Sequence, residues 1–136
     1  MLPPFFISAS ICLIAQTTTS SGQAPVKVTP VFLVEQQVKA YNTRNIDAFL
    51  APYADSVELY TFPDKLISKG KEAMRRDYLD FFNKTPDLHC EIKSRVIHGN
   101  TIIDKESVTG MGSKPFEGVA IYQIEGKKIK KVYFVD

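Results

Sequence analysis

The sequence predicts an α+β domain in which a strongly curved antiparallel sheet packs on three N-terminal helices. Apolar residues recur at helical spacing in three segments before residue 84, and they alternate with polar residues at strand spacing in four segments after residue 89. Helices that precede a run of antiparallel strands are typical of this class, because the sheet can curl around them. With 136 residues and 44% hydrophobic content, the chain can form one domain with one core.

The first 24 residues differ in composition from the rest and are predicted to be a signal peptide. They contain no charged side chain, and the apolar run over residues 5–15 is too short to span a bilayer but suits the core of a leader. Gly22 and Ala24 are small residues of the kind found at a cleavage site. We therefore expect an exported protein, periplasmic or secreted, with a mature domain of residues 25–136 and no membrane attachment. The alternative is a disordered apolar N-terminus.

Three helices are predicted, over residues 31–41, 46–53 and 71–83. In each of them the apolar residues recur every three or four positions, which places them on one face. Thr29 is a suitable N-cap for the first helix because Pro30 follows at its first position. Gly70 precedes the third helix and Pro86 ends it.

One strand is predicted between the second and third helices, over residues 56–62, and four more follow the third helix. These four cover residues 90–96, 101–109, 119–124 and 129–135. In the first of the four, the charged residues at 91, 93 and 95 are expected to face water. Cys90, Ile92, Ser94 and Val96 would then face the core.

The strand over residues 101–109 carries the candidate chemistry. Ile102, Asp104, Glu106 and Val108 share one face, so that two carboxylates lie between apolar ends about 7 Å apart. If this face lines the concave side of the sheet, both acids project into an apolar cavity. Desolvation and mutual repulsion would then raise at least one pKa. The alternative is an edge strand with both acids in water, paired to Lys93 or Arg95.

The remaining polar residues do not predict a metal or cofactor site. His89 begins a strand and could reach the rim of a pocket, but neither it nor His98 has metal-ligand spacing to other donors. There is no glycine-rich phosphate loop and no nucleophile elbow. Cys90 would be the sole cysteine of the mature chain, and we interpret it as a buried apolar side chain.

Nucleic acid is not expected as a partner. The net charge is +2, and the lysines at positions 127, 128, 130 and 131 are gathered on one predicted hairpin. No aromatic residues are interleaved with them on a single face, as a nucleic-acid platform would require. Lysines that keep an exposed strand edge from aggregating explain the pattern better.

Several motifs together resemble the nuclear transport factor 2-like superfamily, in its SnoaL-like and ketosteroid isomerase-like branches. They are the Tyr-Ala-Asp at residues 53–55, the Ser-Lys-Gly-Lys-Glu at 68–72 that opens a helix, and the strands around residues 58–63, 103–106 and 119–127. The likeness covers residues 31–136. It implies a cone: a strongly bent sheet wrapped around the helices, with a pocket at the open end. This fold hosts isomerases, cyclases, dehydratases, hydrolases and binding domains, so it does not by itself imply one activity.

The resemblance also implies that classical ketosteroid isomerase activity is absent. The position of the isomerase base falls on Thr61, whose hydroxyl cannot take a proton from carbon as a carboxylate can. The positions of the two oxyanion-binding groups fall on Gln37 and approximately Ala120. The same matching puts Asp104 and Glu106 on the pocket face.

We hypothesise a small-molecule pocket protein with a largely apolar ligand that carries one or two polar groups. As an enzyme it would use acid–base chemistry of the isomerase, lyase or hydrolase type without a cofactor. Glu106 or Asp104 would be the base, and His89 or Tyr122 the hydrogen-bond donor. The residues expected to line the pocket are Leu59, Thr61, Met74, Tyr78, Phe81, Ile92, Tyr122 and Phe134.

The alternative hypothesis is a non-catalytic ligand-binding or dimerisation module. The resemblance implies a homodimer, because proteins of this fold commonly pair through the outer face of the sheet. Here that face would carry Ile103, Ile121 and Tyr133, which offer enough apolar area for an interface.

Overall fold

A computed structural model describes residues 22–136 of the chain. The predicted leader lies outside the described residues, apart from positions 22–24. The elements, in chain order, are α1 (Pro30–Thr43), α2 (Ile46–Leu50), β1 (Tyr53–Thr61), β2 (Lys65–Lys69), α3 (Lys71–Lys84), β3 (His89–His98), β4 (Thr101–Thr109), β5 (Phe116–Glu125) and β6 (Lys128–Val135). The predicted α+β class is confirmed. No helix in this part of the chain has both the length and the apolar character needed to cross a bilayer.

The helices begin and end where their local sequence favours it. The side chain of Thr29 accepts a hydrogen bond from the backbone N–H of Phe32 at 3.1 Å, and Pro30 follows at the first position of α1. Asn45 caps α2 in the same way, through the N–H of Ala48. The second helix was predicted to extend to residue 53, but α2 ends at Leu50. Pro52 accounts for the difference, because it has no N–H to continue the helix.

The six strands form one sheet in the order β2-β1-β6-β5-β4-β3. Every neighbouring pair is antiparallel except β1 and β6, the second and third strands of the sheet, which run parallel. Strand β2 was not predicted. Of its five residues only Ser68 is buried, so β2 lacks the alternation of apolar and polar residues that reveals a half-buried strand.

A β-bulge at Lys93 changes which residues of β3 face inward. Ile92 pairs with Glu106 of β4, yet Ser94 pairs with Lys105, so one residue of β3 has no partner. Because side chains alternate with a period of two, the extra residue inverts the facing of everything after it. The prediction that Ser94 and Val96 face the core is therefore wrong, and Val96 is 58% exposed.

The core lies between the helices and the concave face of the sheet. Phe49 is 1% exposed, and its ring packs against those of Tyr41, Tyr53, Tyr78 and Phe82 at centroid distances of 4.7–6.0 Å. Such tilted and edge-on pairs are favourable beyond the apolar area that they bury. This aromatic cluster joins all three helices to β1 and forms the floor of the site described below.

Gly110 holds the β4–β5 loop against the α3–β3 loop. Its φ is +89°, and a Cβ at this position would lie 2.3 Å from the carbonyl oxygen of Asp87. Only glycine fits such a close approach of two backbone segments. The contact places the following residues, Met111 to Phe116, at one end of the cone.

Candidate functional site

A cavity of about 380 Å³ opens between α1, α3 and the concave face of the sheet. This volume is near the lower end of the range for small-molecule sites, about 300–1,000 Å³. Met111 and Phe116 are 43% and 44% exposed and form part of its rim. Most of the wall is aromatic: Tyr41, Phe49, Tyr53, Tyr78, Phe81, Phe116, Tyr122 and Phe134.

Glu106 supplies a carboxyl group to the wall of this cavity. The hydroxyl of Tyr122 donates to its Oε1 at 3.1 Å, and the side-chain amide of Gln37 donates to the same hydroxyl at 2.9 Å. Gln37 and Tyr122 are 4% and 3% exposed. A buried chain of hydrogen bonds thus runs from α1 through β5 to β4, and it fixes the orientation of Glu106.

Gly118 lies directly opposite Glu106 on β5. A Cβ on Gly118 would lie 3.0 Å from the ring of Phe116, so this ring takes the space that a side chain would fill. The absence of a side chain at position 118 therefore allows Phe116 to cover the wall beside Glu106.

Burial dominates the electrostatics of Glu106 and raises its pKa to about 7. The hydrogen bond from Tyr122 lowers this pKa, the charge of Asp104 raises it, and the charge of Arg95 lowers it. Both the acid and the carboxylate are consequently populated near neutral pH. Burial also raises the pKa of Tyr122, with a further contribution from Glu106, so its hydroxyl remains a neutral donor.

Asp104 is fully buried but does not line the cavity. Its two oxygens accept from Nε and Nη2 of Arg95 at 2.7 and 2.9 Å, and Nη1 of Arg95 donates to Glu35 of α1 at 3.1 Å. The prediction that Arg95 faces water is wrong, because the bulge at Lys93 turns its guanidinium inward. This bidentate pair engages both oxygens of Asp104, and Glu106, not Asp104, lies in the wall of the cavity.

The other predicted site residues fall into three groups. Tyr78, Phe81, Tyr122 and Phe134 line the cavity. Leu59 and Met74 belong to the core behind it, and Thr61, at the end of β1, is half-buried but outside the wall. Ile92 faces a separate groove beside Glu35 and Arg95, and His89 is exposed and does not line the cavity.

Sequence reasoning missed several residues of the wall. Two of them could have been identified from the sequence. Gln37 lies at the position where ketosteroid isomerases carry a tyrosine of the oxyanion hole, and Tyr41 lies on the apolar face of α1. Tyr53 was assigned to a helix. Met111 and Phe116 belong to a loop and a strand start without periodicity, so nothing in the sequence pattern distinguishes them.

Cys90 also lines the cavity, where burial raises the pKa of its thiol to about 12. A neutral thiol is a poor nucleophile, and we assign it no chemical role. Its backbone anchors β3 to α1, since its N–H donates to the side chain of Asn42 at 2.6 Å and its carbonyl accepts from the same side chain at 2.9 Å.

Within residues 22–136, no group of three or more His, Cys, Asp or Glu side chains is close enough to hold a metal ion.

The ion pair of Arg95 and Asp104 predicts a large and specific loss of stability. The Arg95→Met substitution leaves a fully buried carboxylate without its partner, and we expect the free energy of unfolding to fall by about 3–5 kcal/mol. Adding Asp104→Leu should restore most of the loss, since no buried charge is then left unpaired. Urea unfolding of both variants measures this.

Lys84→Met is the matched control, because it removes an exposed ion pair with Asp80. It should change the free energy of unfolding by less than about 1 kcal/mol. A double variant of Arg95 and Asp104 that is as unstable as the single variant would contradict this account of Asp104.

The raised pKa of Glu106 predicts a pH dependence of stability. The folded protein binds this proton with a pKa of about 7, against an ordinary value of 4.5. The resulting stabilisation is complete below pH 4.5 and is lost as the pH rises through 7, up to about 3 kcal/mol in total. Wild type should therefore lose stability relative to Glu106→Gln between pH 4.5 and 8.5. Urea unfolding at both pH values tests this, with exposed Glu91→Gln as the control; a constant difference between wild type and Glu106→Gln would refute it.

Comparison with solved structures identifies the fold. An uncharacterized cystatin-fold protein from Novosphingobium aromaticivorans matches with a TM-score of 0.75 and 26% identity over 81% of this chain and 100% of that one. An NTF2-like protein from Cytophaga hutchinsonii matches with a TM-score of 0.69 and 17% identity, over 82% and 92% of the two chains. An LEH-like epoxide hydrolase from M. tuberculosis matches with a TM-score of 0.66 and 11% identity, over 78% and 80%. The last two likenesses show the fold alone.

A comparison with curated proteins finds no match to this chain. The sequence profile of the SnoaL-like domain matches residues 34–132, from the first turns of α1 to the middle of β6. The match includes Gln37, Glu106 and Tyr122 and covers most of the chain. The chain therefore belongs to the SnoaL-like domain family, within the nuclear transport factor 2-like fold.

Proposed function

We propose that this protein binds a largely apolar small molecule in the aromatic cavity and moves a proton on it, with Glu106 as base and then as acid. The observation that carries the proposal is a mostly buried carboxyl group with a pKa of about 7 in the wall of the cavity. A catalytic acid or base works best when its pKa is near the working pH. An exposed glutamate, with a pKa near 4.5, would be a much weaker base.

The surroundings of Glu106 suit proton transfer without a cofactor. Tyr122 stays protonated and holds the carboxylate in one orientation, and Gln37 in turn holds Tyr122. Glu106 is largely buried in the aromatic wall, so that a charge on its carboxylate is poorly solvated and accepts a proton readily. Asp104 is neutralised by Arg95 and is assigned a structural role.

The arrangement differs from that of a classical ketosteroid isomerase. Thr61, at the position of the isomerase base, lies outside the cavity wall, and Ala120 is buried within the sheet. Gln37 does enter the cavity, but its amide is committed to Tyr122. We propose an isomerase- or lyase-type reaction in which the base comes from β4 instead of β1.

The first experiment identifies the natural ligand, and the second tests the chemistry on a model compound. Native mass spectrometry of the purified protein would reveal a co-purified small molecule. 2-Tetralone, an apolar ketone that suits a cavity of about 380 Å³, then serves as a model carbon acid in D₂O. Its C–H bond breaks, the proton passes to Glu106, the electron pair moves to the carbonyl oxygen, and a deuteron returns after exchange.

We expect wild-type protein to catalyse this exchange and Glu106→Gln to be at least about 100-fold slower, because the amide cannot accept the proton. The wild-type rate should rise with pH through about 7 as the carboxylate forms. NMR measures the loss of the proton signal, and Glu91→Gln is the control. If the ketone binds but exchanges no faster with wild type than with Glu106→Gln, the catalytic role of Glu106 is wrong and the protein is a non-catalytic binding module.

We further propose that the outer face of the sheet pairs with a second copy of the chain. One row of apolar and aromatic residues in cross-strand register runs over all six strands: Leu66, Tyr60, Tyr133, Ile121, Ile103 and Val96. All six are partly or well exposed. The neighbouring row includes Glu58 and Lys131, so two copies related by a two-fold axis can match opposite charges beside the apolar row.

The dimer predicts a concentration-dependent change in mass. Ile121→Glu places a charge in the centre of the apolar row and should shift the protein to monomer in sedimentation equilibrium at micromolar concentration. Lys84→Met, on an exposed position of α3 away from the sheet, should leave the dimer intact. A wild-type protein that is monomeric under these conditions would exclude the proposal.

A further inference from the structure

Three tyrosines of the cavity wall have hydroxyls that the hydrogen-bond chain of Glu106 does not use. They are Tyr41 of α1, Tyr53 at the start of β1 and Tyr78 of α3. Within residues 22–136 no atom forms a hydrogen bond with any of these three hydroxyls, whereas the hydroxyls of Tyr122 and Tyr60 are bonded to Glu106 and Glu58.

The three unbonded hydroxyls are not enclosed by the protein. Tyr53 is only 3% exposed, and burial is also the main influence on the pKa of Tyr78. Among the described residues, Ser68 has the one side-chain oxygen that is fully enclosed and forms no hydrogen bond. The hydroxyls of the three tyrosines must therefore keep free surface. For Tyr53, which is buried, we infer that this surface faces the cavity; Tyr41 and Tyr78 are half-buried and line the same cavity.

The three phenols form one cluster beside Glu106. The ring of Phe49 contacts all three tyrosine rings, at centroid distances of 6.0 Å for Tyr41, 5.4 Å for Tyr53 and 4.7 Å for Tyr78. Burial raises the pKa of each hydroxyl, and the charge of Glu106 contributes in every case. All three consequently remain protonated across the physiological range and present O–H donors.

We propose that the hydroxyls of Tyr41, Tyr53 and Tyr78 form a donor subsite that selects a neutral ligand through its carbonyl oxygens. The inference rests on the proposed function for the location of the ligand, and it adds the ligand's chemical class. A pure hydrocarbon in this cavity would leave three buried donors without partners, which is costly. A ligand with two acceptor oxygens, such as a cyclic dione, satisfies them and keeps its apolar ring against the aromatic wall.

A cationic ligand is the main competitor, because aromatic walls also bind ammonium groups. The charges of the lining speak against it. The buried acid of the wall, Glu106, is only partly ionised near neutral pH. The other acid of the lining, Asp77, is exposed and lies 3.5 Å from Arg76. A neutral ligand with acceptor oxygens needs only the O–H donors, and a matched series of probes separates the two classes.

The test compares three compounds with the same bicyclic frame: tetralin, 2-tetralone and protonated 2-aminotetralin. Calorimetric titration at pH 6 should give 2-tetralone the tightest binding to wild type, with a Kd about fivefold or more below that of tetralin. Tyr53→Phe and Tyr78→Phe each remove one donor and should bring the two Kd values closer together. Binding of tetralin itself should be unchanged, which shows that the cavity has kept its shape.

Tyr60→Phe is the matched control, since its hydroxyl is on the outer face and bonded to Glu58. Equal Kd values of tetralin and 2-tetralone in wild type, tighter binding of the amine, or an unchanged ratio in both phenylalanine variants would each overturn the subsite. The outcome is independent of the exchange experiment. Tighter binding of the ketone without exchange would contradict proton transfer by Glu106 and support the subsite. Exchange without tighter binding of the ketone would support proton transfer and contradict the subsite.

Discussion

The bulge at Lys93 decides which charged side chains of β3 meet those of β4 on the concave face of the sheet. It turns Arg95 toward the fully buried Asp104, and the bidentate pair that results occupies both oxygens of this acid. Without the bulge, Arg95 would face water and Asp104 would be a second uncompensated acid two residues from Glu106. Such an acid would have to bind a proton or find another partner. The bulge thus withdraws Asp104 from the cavity, whose wall keeps the largely buried carboxyl group of Glu106.

The cavity has two polar regions with different properties. On one side Gln37 and Tyr122 hold the carboxyl of Glu106 through hydrogen bonds. On the other, the tyrosines around Phe49 present hydroxyls that no part of the described chain satisfies. A proton acceptor next to a group of proton donors, within an otherwise aromatic wall, is the arrangement that acid–base chemistry on a neutral carbonyl compound requires. Both regions depend on burial, which keeps the phenols protonated and raises the pKa of the Glu106 carboxyl group to about 7.

Much of the fold could be predicted from the sequence because its signals are local. Helical spacing, the Thr29 cap and the turn residues identify all three helices and five of the six strands. The alternation along β4 also predicts that Ile102, Asp104 and Glu106 share one face. The family resemblance implied that this face is the inner one, and all three residues are buried or mostly buried there. Strand β2 was missed because both of its faces are largely exposed, so it has no apolar alternation to detect.

The sequence by itself determined the α+β class, the faces of β4 and the presence of two acids on one of them. Only the tertiary structure decided that these acids have different surroundings, that β1 and β6 run parallel, and that tyrosines from three elements meet around Phe49. The physical reason is the range of the interactions. Strand parity depends on neighbours along the chain, whereas a bulge, an ion pair and a pKa depend on groups that come together only when the strands pair and the helices close over them.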